Sequence, residues 1–168
     1  FYLQNEWKPS AWLQLVGGLR YDLDTFIHPT ISPRGSLIFT PLPNHTVRAT
    51  AAVGYRPPTM FETYAASTVT INLPPPFPPT TSTSIQGDRN LDPEKIVSYE
   101  LAYQGWYFQH RLKVRTAGFF NHISDLILQT VEGNVQGGVA DIDGGEAGLE
   151  FLAAKWLSGF GNMAYQEI

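Results

Sequence analysis

Apolar and polar residues alternate one by one along most of this chain, the two-residue period of β-strands with a single apolar face. Leu13, Leu15, Gly17, Leu19 and Tyr21 alternate with Gln14, Val16, Gly18, Arg20 and Asp22. Val47, Ala49, Ala51, Val53 and Tyr55 alternate with Arg48, Thr50, Ala52, Gly54 and Arg56. Val97, Tyr99, Leu101 and Tyr103 alternate with Ile96, Ser98, Glu100, Ala102 and Gln104. The pattern predicts eight strands, near 1–8, 11–22, 33–41, 45–55, 94–107, 110–129, 138–156 and 159–168. The expected fold is all-β, an antiparallel up-and-down meander. Alternation alone fits two designs: a soluble sandwich turns the apolar face inward, and a membrane barrel turns it outward.

Connection lengths and aromatic placement favour the membrane barrel. Lys8-Pro9-Ser10-Ala11, Pro41-Leu42-Pro43-Asn44 and Leu157-Ser158 read as tight turns, whereas 23–32, 56–93 and 130–137 read as longer loops. Short periplasmic turns and long extracellular loops are the rule for outer-membrane barrels, whose strands need about 9–11 residues to cross. Trp7, Trp12, Trp106 and Trp156 all lie beside the short turns. Trp favours the water–hydrocarbon boundary, so the four are expected to form half of an aromatic girdle at one membrane face. Segment 56–93 is expected to be an extracellular loop with a flexible tip. Within it, Leu73-Pro74-Pro75-Pro76-Phe77-Pro78-Pro79 points to polyproline II, since proline cannot donate to a ladder.

Composition agrees. Charged residues make up 15% of the 168, below the roughly one quarter usual in soluble domains, as a lipid-facing surface requires. A net charge of −4 without a basic run argues against a nucleic-acid partner. The absence of cysteine excludes a disulfide framework and thiolate metal sites. No apolar run approaches the roughly 18 residues of a membrane-spanning helix. The chain opens and closes within strand pattern, and we read it as an internal fragment of a longer protein.

Several motifs resemble one family. Gly18-Leu19-Arg20-Tyr21-Asp22 with Ser32-Pro33-Arg34, Tyr55-Arg56-Pro57-Pro58-Thr59-Met60-Phe61-Glu62, and Asn90-Leu91-Asp92-Pro93-Glu94-Lys95 with Ser98-Tyr99-Glu100-Leu101 occur in order. Phe119-Phe120-Asn121-His122-Ile123-Ser124-Asp125-Leu126-Ile127 and Gly144-Gly145-Glu146 follow. Together they resemble the barrel domain of TonB-dependent outer-membrane receptors; the Pro-rich insertion is a departure. The resemblance implies an open, curved part of a large barrel with about 22 strands and a plugged lumen. It also implies the outer membrane of a Gram-negative bacterium, and energised uptake of a ferric siderophore, cobalamin or oligosaccharide. The implied partners are outer-membrane lipid, the protein's own plug domain (absent from this chain), the TonB complex acting through that plug, and an extracellular small-molecule ligand.

Within this frame the candidate residues divide by place. Arg20, Arg48, Glu100, Glu146 and Glu150, together with Lys113 and Arg115, are charges inside strands. They belong on the lumen side, because charge in lipid is costly. His28, Arg56, Tyr64, Asp88, Arg89 and His122 are the candidate ligand contacts of the outer loops. Asp141, Asp143, Glu146 and Glu150 fail the spacing of a calcium loop. His28, His45, His110 and His122 lack zinc-ligand spacing, so no metal or cofactor is expected. Asn44-His45-Thr46 matches a glycosylation sequon by chance. No nucleophile elbow, phosphate loop or dinucleotide fingerprint occurs, and an enzyme is not expected. Two alternatives stay open at this point: a complete eight-stranded membrane barrel with an adhesive or structural role, and a soluble lipocalin-like binder.

Overall fold

The computed structural model describes residues 1–23, 28–71, 81–130 and 133–168. Its main sheet has eight strands: β1 (Tyr2–Ser10), β2 (Leu13–Asp22), β3 (Thr30–Leu42), β4 (His45–Arg56), β7 (Glu94–Tyr107), β8 (Leu112–Thr130), β9 (Gly133–Ala154) and β10 (Leu157–Glu167). Between β4 and β7 lie a short helix, α1 (Met60–Tyr64), and a separate two-stranded ribbon of β5 (Ala66–Ile71) and β6 (Thr81–Gln86). Each strand of the main sheet pairs antiparallel with its sequence neighbours there. Among the described residues β1 and β10 stand at opposite edges, so the sheet is open. That rules against both alternatives, since a small membrane barrel and a lipocalin each close their first strand onto their last.

Register carries the alternation across every strand. Leu15 sits opposite Leu37, Leu37 opposite Ala49, and Ala49 opposite Leu101. Val114 sits opposite Leu149 on the same face. The other face carries Arg48, Glu100, Arg115, Glu146 and Glu150 by the same parity. The apolar face is uncovered: Leu37, Tyr99, Leu101, Phe120 and Leu149 are all exposed. Leu91 is the sole buried large hydrophobic among the described residues, and it lies outside the sheet. A sandwich would bury the apolar face; here it is the outward surface of a single layer.

The turns expected at one end are there, with small shifts. They fall at Ala11-Trp12, Pro43-Asn44, Phe108–Arg111 and Lys155-Trp156, so the last precedes the predicted Leu157-Ser158. Phe108, Gln109 and His110 all have positive φ, of 52°, 57° and 66°. The adjacent turn supports them. Trp106 N–H donates to the Asn44 carbonyl at 2.9 Å, and the His110 ring lies 3.1 Å from Asn44 Oδ1.

The opposite end differs more from expectation. The predicted loop 130–137 is largely strand: β8 and β9 run for 19 and 22 residues and pair as far as Thr130 and Gly133. Gly133, Asn134, Gly137 and Gly138 read as loop composition, yet Gly137 takes φ 127° within β9. Asp125 takes φ 59° at a bulge, with register shifts between Ile123 and Leu126 and between Leu126 and Ile127. Beyond this bulge the hairpin rises about 20 Å past the last β7 pairing, at roughly 3.3 Å per residue. Segment 56–93 is likewise not structureless. Thr59 and Glu62 form a capping box that starts α1. Ser67-Thr68-Val69-Thr70-Ile71 is β-branched enough to hold a strand despite low hydrophobicity. The predicted polyproline stretch at 73–79 lies outside the described residues.

Two tests follow from the single layer. A Cβ at Gly144 would meet the Tyr165 carbonyl and approach Phe119 Cζ to 2.6 Å, whereas one at Gly35 would meet nothing within 4 Å. Gly144→Ala should therefore destabilise the barrel by about 1–3 kcal/mol and Gly35→Ala should leave it unchanged. Thermal unfolding of the full-length protein in detergent reads the difference, and equal effects would contradict the packing. With two open edges and an apolar face, the 168-residue chain alone should aggregate in water and dissolve in detergent. A monodisperse soluble monomer in a sedimentation run would count against this architecture.

Candidate functional site

The charged face forms a shallow hollow of about 790 Å³ whose lining includes Arg48, Glu100, Gln104, Arg115, Glu146 and Asn162. Its charges are largely paired within the wall. Arg48 Nη2 donates to Glu100 Oε1 at 2.7 Å, Arg115 pairs with Glu150, and Arg20 Nε donates to Asp22 Oδ2 at 2.6 Å. All six side chains are well exposed, so each pair contributes at most about 1 kcal/mol. Their effect is to leave a polar wall of low net charge. Alternation places Glu146 and Glu150 here and turns Asp141 and Asp143 to the other face, so the acidic cluster does not converge.

Not every tryptophan follows the girdle pattern. Trp7 lies opposite Leu15 on the apolar face. Trp12 packs edge-on against Phe39 at 5.7 Å, and Trp156 is a fully exposed turn residue. Trp106 departs from the expectation. It has the even parity of Glu100 and sits opposite Lys113 on the charged face. The Lys113 ammonium lies 5.1 Å from the Trp106 ring. Proximity to a turn located it along the strand, but its parity, readable from the sequence, assigns the face.

At the long-connection end a compact knot joins four elements. Arg56, the last residue of β4, points a fork at Glu94, the first of β7, with Nε–Oε2 at 2.6 Å and Nη2–Oε1 at 2.7 Å. The same guanidinium reaches Glu62 of α1 at 3.1 Å. Glu94 Oε1 also accepts from the Ile127 N–H of β8 at 2.9 Å. Planar two-point pairing is what arginine offers and lysine does not. Gln136 ties the other flank: its amide accepts from Asp92 N–H at 2.9 Å and donates to the Asp92 carbonyl at 2.8 Å. Pro58, Thr63, Leu91 and Glu94 are buried here. Sequence reasoning saw the proline and Asp-Pro-Glu motifs as strand ends but missed this pairing across 38 residues. Gln136 carried no signal.

The six outer-loop candidates are not equivalent. Arg56 is committed to two carboxylates. His122 pairs with Asp141 at 2.6 Å on the apolar-face parity, and Asp88 accepts from the Asn90 N–H at 2.9 Å. Arg89 lies over the Tyr64 ring, 4.9 Å from its centroid. His28 sits in the β2–β3 connection just before β3. Only Tyr64 and Arg89 are brought directly together.

A meander of long strands, apolar and exposed on one side and charged on the other, is a section of transmembrane-type barrel wall. The chain belongs to the TonB-dependent receptor β-barrel family, whose description matches residues 1–167. No curated protein matches it. Among solved structures it is similar to the siderophore receptor PirA from Pseudomonas aeruginosa, with 20% identity, TM-score 0.79, and coverage of 99% of this chain and 33% of that one. A ferric enterobactin receptor mutant from the same organism, PfeA in complex with enterobactin, gives 18%, 0.81, 99% and 26%. The copper transporter OprC gives 17%, 0.70, 98% and 27%. The chain thus spans about a quarter to a third of these structures' length. At such identities they bear on the fold alone.

Within the knot, partial burial alone would raise the Glu62 carboxyl pKa. The Thr59 N–H, the Arg56 guanidinium and the Thr59 hydroxyl outweigh it and hold the group below the usual carboxylate range. A depressed folded value means the stabilisation is complete above the unfolded value of about 4.3. It is lost as pH falls through the folded value. Amide exchange in α1, corrected for intrinsic rates, should therefore quicken below about pH 4. Glu62→Gln should abolish that dependence; a wild-type profile flat down to pH 3 would contradict it.

Proposed function

We propose that this chain is part of the barrel wall of an outer-membrane receptor that takes up a scarce, bulky ligand, a ferric siderophore first among the candidates. The observation carrying this reading is family membership over residues 1–167, on a sheet whose two faces suit lipid and lumen. Relatives named for siderophore and enterobactin support the ligand class, and the copper transporter keeps the individual ligand open. In this reading the apolar face meets outer-membrane lipid of a Gram-negative cell. Trp7, Trp12 and Trp156 sit at its periplasmic edge. Segment 56–93 and the β8–β9 hairpin are extracellular, and the chain lies within a domain completed by further strands.

The wall of Arg20, Arg48, Glu100, Glu146 and Glu150 faces a plug domain encoded elsewhere in the same protein. With all of these but Glu146 ion-paired along the wall among the described residues, it offers the plug mainly polar, wet contacts rather than strong ion pairs. Such contacts suit a plug that the TonB complex must move.

Deleting the gene should abolish growth on a ferric siderophore as sole iron source. Dissipating the proton gradient should stop uptake while leaving surface binding intact. Reading the gene outward should reveal a plug-sized domain and more alternating strands. A stop just past Ile168 with a signal peptide just before Phe1 would sink the proposal.

A further inference from the structure

The apolar face does not stay apolar to the ends of its strands, and the places where it stops are ordered. Rows of directly opposed residues run across the sheet at right angles to the strands. Towards the long-connection end, the first acidic or basic residue on that face of β7 is Lys95, in the row of Tyr55 and Ser124. In β8 it is His122, one row nearer the short turns, opposite Val97 and paired with Asp141 at 2.6 Å. In β9 and β10 it is Asp143 and Glu167, opposite each other and a further row down. The line falls by four residues, about 13 Å, across three strand spacings of about 4.8 Å, a slant of roughly 40°.

At the short-turn end the aromatic residues of the same face fall the same way. Trp7 of β1 lies in the row of Leu101, Phe39 of β3 in the row of Tyr103, and Phe151 of β9 in the row of Tyr107. From β1 to β9 this line falls by six residues, about 20 Å, across six spacings, about 29 Å, a slant of roughly 35°.

Two near-parallel lines at such a slant are what a flat slab cuts on a sheet of tilted strands, and the strands of membrane barrels tilt by roughly 35–45°. A protein covering the face would follow its own contour and would not bound both ends alike. The width agrees as well. Asp143 and Phe151 both lie in β9, about 26 Å apart along the strand and about 20 Å apart along the slab normal, near the roughly 25 Å height of an apolar barrel band. The row that begins with Trp7 at one boundary ends with Tyr165 just inside the other.

We propose that the headgroup layer of the outer leaflet meets this chain along Lys95, the His122–Asp141 pair, Asp143 and Glu167, with the strands so tilted that one row of the sheet crosses the hydrocarbon. This rests on the lipid-facing reading above and adds where the membrane ends. It assigns His122 to lipid headgroups rather than to a ligand, and it stands the β8–β9 hairpin clear of the hydrocarbon.

Gly35, Ala51, Asp143 and Glu167 share one row, so an untilted sheet holds them at one depth and the tilted one spreads them. The test replaces each by cysteine in the full-length protein, labels it with bimane and inserts the protein into phosphatidylcholine vesicles. The vesicles carry a nitroxide lipid labelled either on the headgroup or at mid-chain. A Cβ at Gly35 meets nothing within 4 Å, so Gly35→Cys is accommodated. Labels at Gly35→Cys and Ala51→Cys should be quenched about twofold more by the mid-chain nitroxide than by the headgroup one, and labels at Asp143→Cys and Glu167→Cys should show the reverse. Heat-shift gels confirm that each barrel is folded, and two positions at each depth keep the comparison if one variant fails. Equal ratios at all four positions would overturn the slanted boundary while leaving the face in lipid. Stronger mid-chain quenching at Asp143→Cys and Glu167→Cys would overturn it too. No quenching by either nitroxide at Gly35→Cys and Ala51→Cys would mean that protein covers the face, and would remove the lipid-facing reading and this inference with it.

Discussion

One sheet has to supply its own order here, because no second layer packs on it. The described residues bury a single large hydrophobic side chain, Leu91, and that one lies off the sheet. What holds the wall together is the unbroken run of antiparallel ladders from β1 to β10 and the parity they enforce. A one-residue slip in any ladder would carry a strand's apolar set to the charged side. Register is therefore the constraint on which both surfaces depend. Close cross-strand seating, such as the Phe119 ring over Gly144, strengthens it locally.

Where ladders end, that enforcement ends as well, and side chains take over. At the rim, Arg56 and Glu94 stand opposite each other as the last pair of β4 and β7, and their side chains repeat the connection the backbone makes below. The same pair recruits α1 through Glu62 and β8 through the Ile127 N–H. Gln136 meets the Asp92 backbone as a strand would, giving one acceptor and one donor. Four of the five buried residues among those described, Pro58, Thr63, Leu91 and Glu94, gather here, where the α1 segment crosses the strand ends. Rim geometry is thus set by a few charged and amide groups, and the shape of any mouth built on it depends on them.

Strand positions, faces and short turns could be read from the sequence because they follow from a local period. Val47 to Tyr55 and Val97 to Tyr103 announce their apolar faces without knowledge of any partner. The same rule, applied to Trp106, assigns it to the face of Glu100, where the structure pairs it with Lys113, and not to the apolar face. Other features were hidden for a different reason. The Arg56–Glu94 fork joins residues far apart in sequence, and α1 is too short for helical periodicity to register. In β9 the glycines resembled a loop because side-chain preference was judged without its partner, β8, whose pairing supplies the stability that glycine lacks. Sequence pattern thus revealed the wall, while the rim required coordinates.

The bulge at Asp125 bears on how such a molecule can diverge. Below it, every residue of β8 has an assigned face, and an odd insertion would invert that assignment. Above it, the two register shifts between Ile123 and Ile127 have already broken the count. The upper hairpin can gain or lose residues without passing the change down into the wall. A lineage can therefore remodel this end of the molecule while the rest of the sheet stays in phase.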